Sequence, residues 1–356
     1  MVVIELERSI KTYLIEHPQY LPVDAGISNI EDFDINLADY FDCMTGISAG
    51  GWSTLYLASR GGQGASRAFL DRQDIIEKYG EIPSGGAEGL RVFYKEFGAA
   101  IYPPEALITS EGTFGDLTNP FAPGVATPLF PLEGQILALD TFLGDTTLDD
   151  LDTSLLVPTF DLISSQTVFF VQNTFGDVPA SSSARLIAGP RPKHVTTEER
   201  FVPNLVFDES KNYFLTDIGV AGGAFPVINP AIPVKPVGRD SVEFLCIDGV
   251  VPIEYSALRT AFFVASENGL SGLEKIAILS LGNAESVADL TEVENAGLAA
   301  WLESFRIIGL AGTSGLHSLT SLLDFFYYAN PNIRPNQYLR IQEFAPSDTE
   351  EGMALG

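Results

Sequence analysis

A short apolar run, Tyr40, Phe41, Asp42, Cys43 and Met44, stops at Thr45 and passes at once into Gly46, Ile47, Ser48, Ala49, Gly50 and Gly51. From Gly51 the pattern changes: Trp52, Leu55, Tyr56 and Ser59 fall on one face of a helix that stops at the Gly61, Gly62 pair. A buried strand, a tight turn and a helix are therefore expected in immediate succession. Few architectures accommodate such a unit, because a strand that feeds straight into a helix belongs to a sheet with helices packed on it.

The rest of the chain agrees. Val3, Leu6, Ile10, Tyr13 and Leu14 recur at helical spacing, so the chain opens on an amphipathic helix. Further helices are expected around 90–97, 133–143, 256–265, 292–307 and 316–328, and strands over 155–162, 167–172, 242–247, 275–281 and 338–342. The stretch 80–131, rich in Gly, Pro and aromatics, reads as long loops around its one short helix. Strands alternating with helices predict one α/β domain over 1–345, followed by an acidic, frayed tail over 346–356.

With 46% hydrophobic residues in 356, a sizeable core is within reach. No run approaches the ~20 apolar residues of a membrane-spanning helix, so any membrane contact is peripheral. Forty-seven acidic against 20 basic residues give a net charge of −27, which repels nucleic-acid phosphates and anionic lipid surfaces alike. Nucleic acid is thus not an expected partner. Cys43 and Cys246 each sit in an apolar run and read as buried, reduced thiols without the company a metal site needs.

Gly46, Ile47, Ser48, Ala49, Gly50 fits G-x-S-x-G, in which a serine on a strained strand-to-helix turn projects its hydroxyl above the positive end of the helix. Glycines on either side remove side chains that would collide there. A serine hydroxyl needs a base. His17 precedes Pro18 at the end of the first helix, His194 lies in a polar loop, and His317 points off the apolar stripe Leu316, Leu319, Leu323, Phe326, so no histidine is well placed. Asp248 follows the apolar strand Phe244, Leu245, Cys246, Ile247 and precedes Gly249, at the carboxyl end of a strand where open α/β sheets keep their sites. It reads either as the base or as a turn or capping aspartate.

These residues resemble a known family. Leu37 to Asp42 leading into Gly46 to Gly51 is similar to the nucleophile segment of patatin-like phospholipases, and five later segments follow in that family's order. They are Thr159, Phe160, Asp161; Gly219 to Pro230; Asp248, Gly249 with Ser256, Ala257, Leu258; Ile278 to Gly282; and Asn336 to Gln342. The resemblance implies a three-layer α/β/α fold with a mostly parallel central sheet. It also implies a Ser48 and Asp248 dyad without histidine, and cleavage of lipid acyl esters with no metal or organic cofactor. Partners would be lipid or phospholipid esters at a micelle or peripheral membrane surface; the compartment stays open, cytoplasmic or membrane-peripheral. Val220, Ala221, Ala224 and Phe225 are candidate acyl-pocket walls, with close packing the equal alternative. The rivals are a catalytically impaired lipid-binding or storage protein of the same fold, and a triad using His317.

Two departures stand out. Val250 occupies the place of a small residue after the aspartate. The family's N-terminal strand and glycine-rich oxyanion loop have no counterpart before the first helix, so either a longer chain carries them or the hole is lost. Losing oxyanion donors costs about 10²- to 10³-fold in rate. Placing a strand and glycine loop of the family type ahead of Met1 is therefore expected to raise solubility and turnover, with the gain in turnover vanishing in Ser48→Ala. Equal rates with and without the extension would move the hole to other amides, those of Ala49 and Gly50 first.

Overall fold

The structure is a computed structural model describing residues 2–20, 35–103, 128–175, 181–186, 205–207, 211–226, 228–251 and scattered positions between 259 and 345. The polar loop around His194, His317, the expected helix over 292–307, the tail 346–356, half of 256–265 and, apart from the buried helical residues Leu323 and Tyr327, the helix expected over 316–328 lie outside the described residues. The chain divides into two compact units, one of Met1–Ala106 with Pro128–Pro252, the other of Leu107–Thr127 with Ile253–Gly356.

The first unit holds helices α1 (Val2–Glu16), α2 (Ala49–Ala58), α3 (Arg67–Leu70), α4 (Gln73–Tyr79), α5 (Ala87–Ile101), α6 (Glu133–Leu143) and α7 (Leu215–Gly222). Its strands are β1 (Cys43–Thr45), β2 (Ser154–Asp161), β3 (Gln166–Gln172), β4 (Ser181–Leu186), β5 (Leu205–Phe207), β6 (Ile232–Val234) and β7 (Phe244–Asp248). They form a seven-stranded sheet in the order β5-β4-β3-β2-β7-β6, with β1 also paired to β2. In the second unit β8 (Ile278–Leu281) pairs in parallel with β10 (Tyr338–Ile341), and β9 (Glu285–Ser286) with β11 (Phe344–Ala345).

The fold is mixed α/β, but the expected mostly parallel sheet is corrected. In the first unit only β1 and β2 run parallel, and every other described pairing is antiparallel. The cause is local. Ile163, Ser164 and Ser165, with Ser165 at a φ of 56°, close a hairpin from β2 into β3, and a joint that short cannot carry a parallel crossover. Both strands are buried along nearly their whole length, which produces the continuous apolar runs otherwise typical of parallel strands.

Helix α2 is buried on almost all sides, beyond the single face its spacing suggests, because it packs against α5, α6, α7 and β1. The strand before it is shorter and later than expected, with Tyr40, Phe41 and Asp42 preceding β1, whose residues are half-buried. Helix α5 extends beyond 90–97, through a stretch read as loop. Its Gly89 lies against the Tyr56 hydroxyl, which a Cβ would strike, and Gly134 of α6 lies equally close to the Ala100 carbonyl. Gly89, in a stretch that reads as loop, and Gly134, in an expected helix, thus let three helices approach. In α1, Val3, Leu6 and Ile10 pack on the core, whereas Tyr13 is 50% exposed and stacks on His17 at 4.2 Å. No helix of the described residues is long and apolar enough to cross a membrane.

At the centre of the helical layer, Phe142 of α6 meets Tyr56, Phe69, Phe93 and Phe97 at ring distances of 5.6, 5.4, 5.2 and 5.7 Å. Phe142→Ala is expected to destabilise the fold by about 3–5 kcal/mol in urea unfolding. Leu137→Ala, on the same helix but 57% exposed, is expected to stay within about 0.5 kcal/mol. Comparable losses at both positions would contradict this placement of the core.

Candidate active site

The site is built on one edge of β2. β3 occupies the other edge along Leu155–Asp161. On the free edge β1 runs parallel to Ser154–Leu156 and ends with Thr45 opposite Leu156, while β7 runs antiparallel to Thr159–Asp161 and ends with Asp248 opposite Thr159. The carboxyl ends of two strands therefore meet head to head, separated by Val157 and Pro158.

The gap has a chemical reason. Leu162 donates to the Leu245 carbonyl across this edge, and the Leu156 carbonyl accepts from Thr45 Oγ1 across it. Strand alternation aims the backbone of Pro158 at the same edge. Proline has no N–H to donate, so it fits where neither β1 nor β7 offers an acceptor. Gly249, just past β7, crosses Pro158 so closely that a Cβ would strike its carbonyl.

Ser48 stands at the N-cap of α2 with φ 54° and ψ −128°, a conformation that disfavours a side chain. The backbone is held there from both sides. Its carbonyl accepts from Gly51 and Trp52 at 2.8 and 3.3 Å, and Thr54 Oγ1 donates to the Thr45 carbonyl at 3.0 Å. A Cβ on Gly46 would collide with the Gly50 carbonyl and Thr54 Oγ1. Gly50, in contrast, has open space around it, so the collision expected on both sides of the serine exists only at Gly46. Ile47 and Ala49 are half-buried. A serine at an N-cap ordinarily accepts from the first turn; Ser48 makes no such side-chain bond, which leaves its hydroxyl uncommitted to the helix.

Asp248 is fully buried. Its N–H donates to the Ala224 carbonyl at 3.0 Å, and its Oδ1 accepts from the Val250 N–H at 2.9 Å. Val250, the departure from the family pattern, thus supplies the turn by its backbone, which any non-proline residue can do. Burial pushes the carboxyl up to about 6, against the smaller opposing effects of the Val250 amide and the Ser48 hydroxyl. Ser48 approaches Asp248 closely enough to favour its charged form. It does so without a formed hydrogen bond, and Oδ2 is buried with no partner among the described residues. Such bonds often tighten only when substrate is bound.

Of the candidate pocket residues, Val220, Ala221 and Ala224 are packed into the hydrophobic core, and Phe225 is half-buried. Ala224 is brought to Asp248 through its carbonyl. Tyr102, at the end of α5, was not singled out by any sequence pattern. The residue is 36% exposed, yet its phenol is raised by desolvation first and by the charge of Asp248 second, and its ring meets Phe130 edge-on at 5.4 Å. Of the histidines, only His17 is described, with Nδ1 3.0 Å from the Tyr13 carbonyl on α1. No cluster among the described residues could hold a metal ion.

No family model matches the chain. It is similar to Patatin-like protein 2 of Arabidopsis thaliana, 27% identical over 300 residues that make up 79% of this chain and 60% of that protein. It is likewise similar to Patatin-like protein 4 of Arabidopsis thaliana, 26% identical over 68% of this chain and 56% of that protein. Patatin-like protein 1 of Oryza sativa subsp. indica is 29% identical over 42% of this chain and 30% of its own length. These distant similarities support a patatin-like family, and the chain spans between 30% and 60% of the length of these relatives.

The raised pKa of Asp248 has a consequence for stability. From pH 3.8 to about 6 the folded protein keeps a proton that the unfolded chain has lost, so stability falls as pH rises through that window and stays lowered above it. A rise from 3.8 to about 6 corresponds to roughly 3 kcal/mol. Asp248→Asn keeps an oxygen for the Val250 amide and removes the buried charge. It is expected to be more stable than the parent by up to about 3 kcal/mol at pH 8 and no more stable below pH 3.8. A stability difference that does not change with pH would show that the carboxyl titrates normally.

Proposed function

We propose that this chain is a carboxylic-ester hydrolase acting on lipid acyl groups, in which Ser48 is the nucleophile and Asp248 its base. The observation that carries this reading is the meeting, over the Pro158 gap, of a strained serine whose hydroxyl does not cap its helix and a buried aspartate whose Oδ2 has no partner among the described residues. A turn or capping role for Asp248 uses Oδ1 alone and leaves the second oxygen without a reason to be buried.

In this mechanism Asp248 Oδ2 takes the Ser48 proton as Oγ bonds to the acyl carbon, and the carbonyl electron pair moves onto its oxygen. Collapse expels the alcohol, which receives the proton from Asp248. Water then attacks the acyl-enzyme, giving its proton to Asp248 and releasing the acid as Ser48 regains its hydrogen. A base with a pKa of about 6 is ionised at neutral pH yet still basic enough to share a proton, the compromise general-base catalysis favours. The amides of Ala49 and Gly50 open the first turn of α2 and make no described hydrogen bond, so they are available, with the positive end of the helix, to the developing oxyanion. The similarity to patatin-like proteins supports lipid esters as the substrate class.

Ser48→Ala and Asp248→Asn are each expected to lower kcat/KM on a short-chain chromogenic ester by about 10⁴-fold with the fold intact, and the double variant to be no worse than either. Additive losses would remove Asp248 as the base. The kcat/KM of the parent should fall with decreasing pH along a one-proton limb near pH 6. A fluorophosphonate should label the parent and not Ser48→Ala. An unlabelled parent that still binds lipid would instead make the chain a lipid-binding or storage protein.

A further inference from the structure

Behind the first turn of α2, Tyr94 of α5 reaches across from a different part of the chain. Its hydroxyl donates to the Ala49 carbonyl at 2.6 Å and lies 2.9 Å from Ser53 Oγ. Ser53 Oγ is itself 3.3 Å from the Ala49 carbonyl. The direction of these bonds follows from the number of hydrogens. A phenol has one proton, and the short bond to Ala49 uses it, so at the 2.9 Å contact Ser53 is the donor, its one proton shared with the longer 3.3 Å contact to the Ala49 carbonyl. The result is a directed chain, Ser53 O–H to Tyr94 O–H to the carbonyl of Ala49. Burial pushes the phenol up to about 12, so it stays a neutral donor at any working pH.

A helical carbonyl in a first turn already has an acceptor's role in the helix, and helix stability alone does not call for a tyrosine from another element. The peptide group that Tyr94 grips is the bond between Ala49 and Gly50, one residue beyond Ser48. Donation to a peptide carbonyl draws electron density from its nitrogen and makes the N–H on the other side a stronger donor. Bonds in such a directed chain reinforce one another. The N–H in question is that of Gly50, whose Cα has open space around it. The same tyrosine also fixes the peptide plane, because its ring is set edge-on against Phe93 at 5.0 Å in the aromatic core.

We infer that Tyr94, backed by Ser53, is a positioning residue that orients and polarises the Gly50 amide as an oxyanion donor. The inference rests on the reading of Ser48 as nucleophile. It accounts for a glycine at position 50 that no steric conflict requires: without a side chain there, an acyl carbonyl has room to approach the turn.

The test uses Tyr94→Phe, which keeps the ring and its packing, and Ser53→Ala, which shortens the chain by one link. Tyr94→Phe should lower kcat on a short-chain ester by about tenfold, less than the 10²- to 10³-fold loss from deleting an oxyanion donor outright. KM should remain within about twofold, and the acid limb near pH 6 should be unmoved, because Asp248 is untouched. Affinity for a trifluoromethyl ketone, whose adduct with the serine carries the oxyanion, should fall by the same factor as kcat. Ser53→Ala should lie between the parent and Tyr94→Phe in both readouts. Unchanged kcat in a folded Tyr94→Phe would overturn the inference, as would a loss of kcat without a matching loss of ketone affinity. If Tyr94→Phe failed to fold, the graded loss in Ser53→Ala would decide alone, and its absence would count against the inference. Failure of the underlying reading would look different: Ser48→Ala would keep its activity, whatever Tyr94 did.

Discussion

The geometry of the site depends on a shared edge. β1 and β7 are both too short to cover β2, and each claims half of it from opposite directions, parallel below Leu156 and antiparallel above Thr159. Backbone hydrogen bonding fixes both strands to the same template, so the turns at their ends are brought together without a loop to adjust the distance. Pro158 keeps the template free of an unmet donor in the interval, and Gly249 lets the turn after β7 lie on it. The side chains follow from pleating. Thr159 and Asp248 form a directly opposed pair, and Phe244, Cys246 and Asp248 alternate onto the face where Phe244 and Cys246 join the helical core.

That placement explains why the aspartate has unusual chemistry. A carboxyl on the helix-covered face is taken out of water, and among the described residues it accepts one hydrogen bond, from Val250, so the charged form is disfavoured. Asp161, at the other end of the same strand pairing, makes the contrast. Its carboxylate accepts from the amides of Leu245, Ile163 and Ser164 and from the Ser164 hydroxyl. Although burial opposes ionisation there too, those bonds bring its pKa below the usual value. Two buried aspartates in one sheet thus diverge because one is fully bonded and the other is left with an open oxygen. The first behaves as a structural anchor of the hairpin, and the second is the one suited to exchange a proton.

The helical layer contributes by holding α2 rigid. The helix starts at a strained residue, and such strain persists only where the surroundings over-determine the backbone. Here Thr54 ties the helix back to the end of β1, Trp52 Nε1 donates to the Gly219 carbonyl of α7, and Tyr94 grips the first turn from α5. The close helix approaches at Gly89 and Gly134 make this convergence possible.

Much of this was legible in the residues themselves. The strand, turn and helix around Ser48, the aspartate at the end of an apolar strand, the opening helix and the two strands of the hairpin all follow from local pattern, because turn chemistry and side-chain period act over a few residues. The sheet's direction was not legible: a doubly buried antiparallel strand and a parallel one both read as unbroken apolar runs, and only the pairing distinguishes them. Nor were the long α5, whose Gly89 marks a helix contact rather than a loop, or Tyr94 and Tyr102, whose neighbours are remote in sequence. The sequence by itself determined which residues could carry the chemistry, since that depends on side-chain type and local backbone. Only the tertiary structure decided that Asp248 would be buried, with one oxygen unpaired among the described residues, and brought near Ser48, because desolvation and strand pairing are properties of segments some two hundred residues apart.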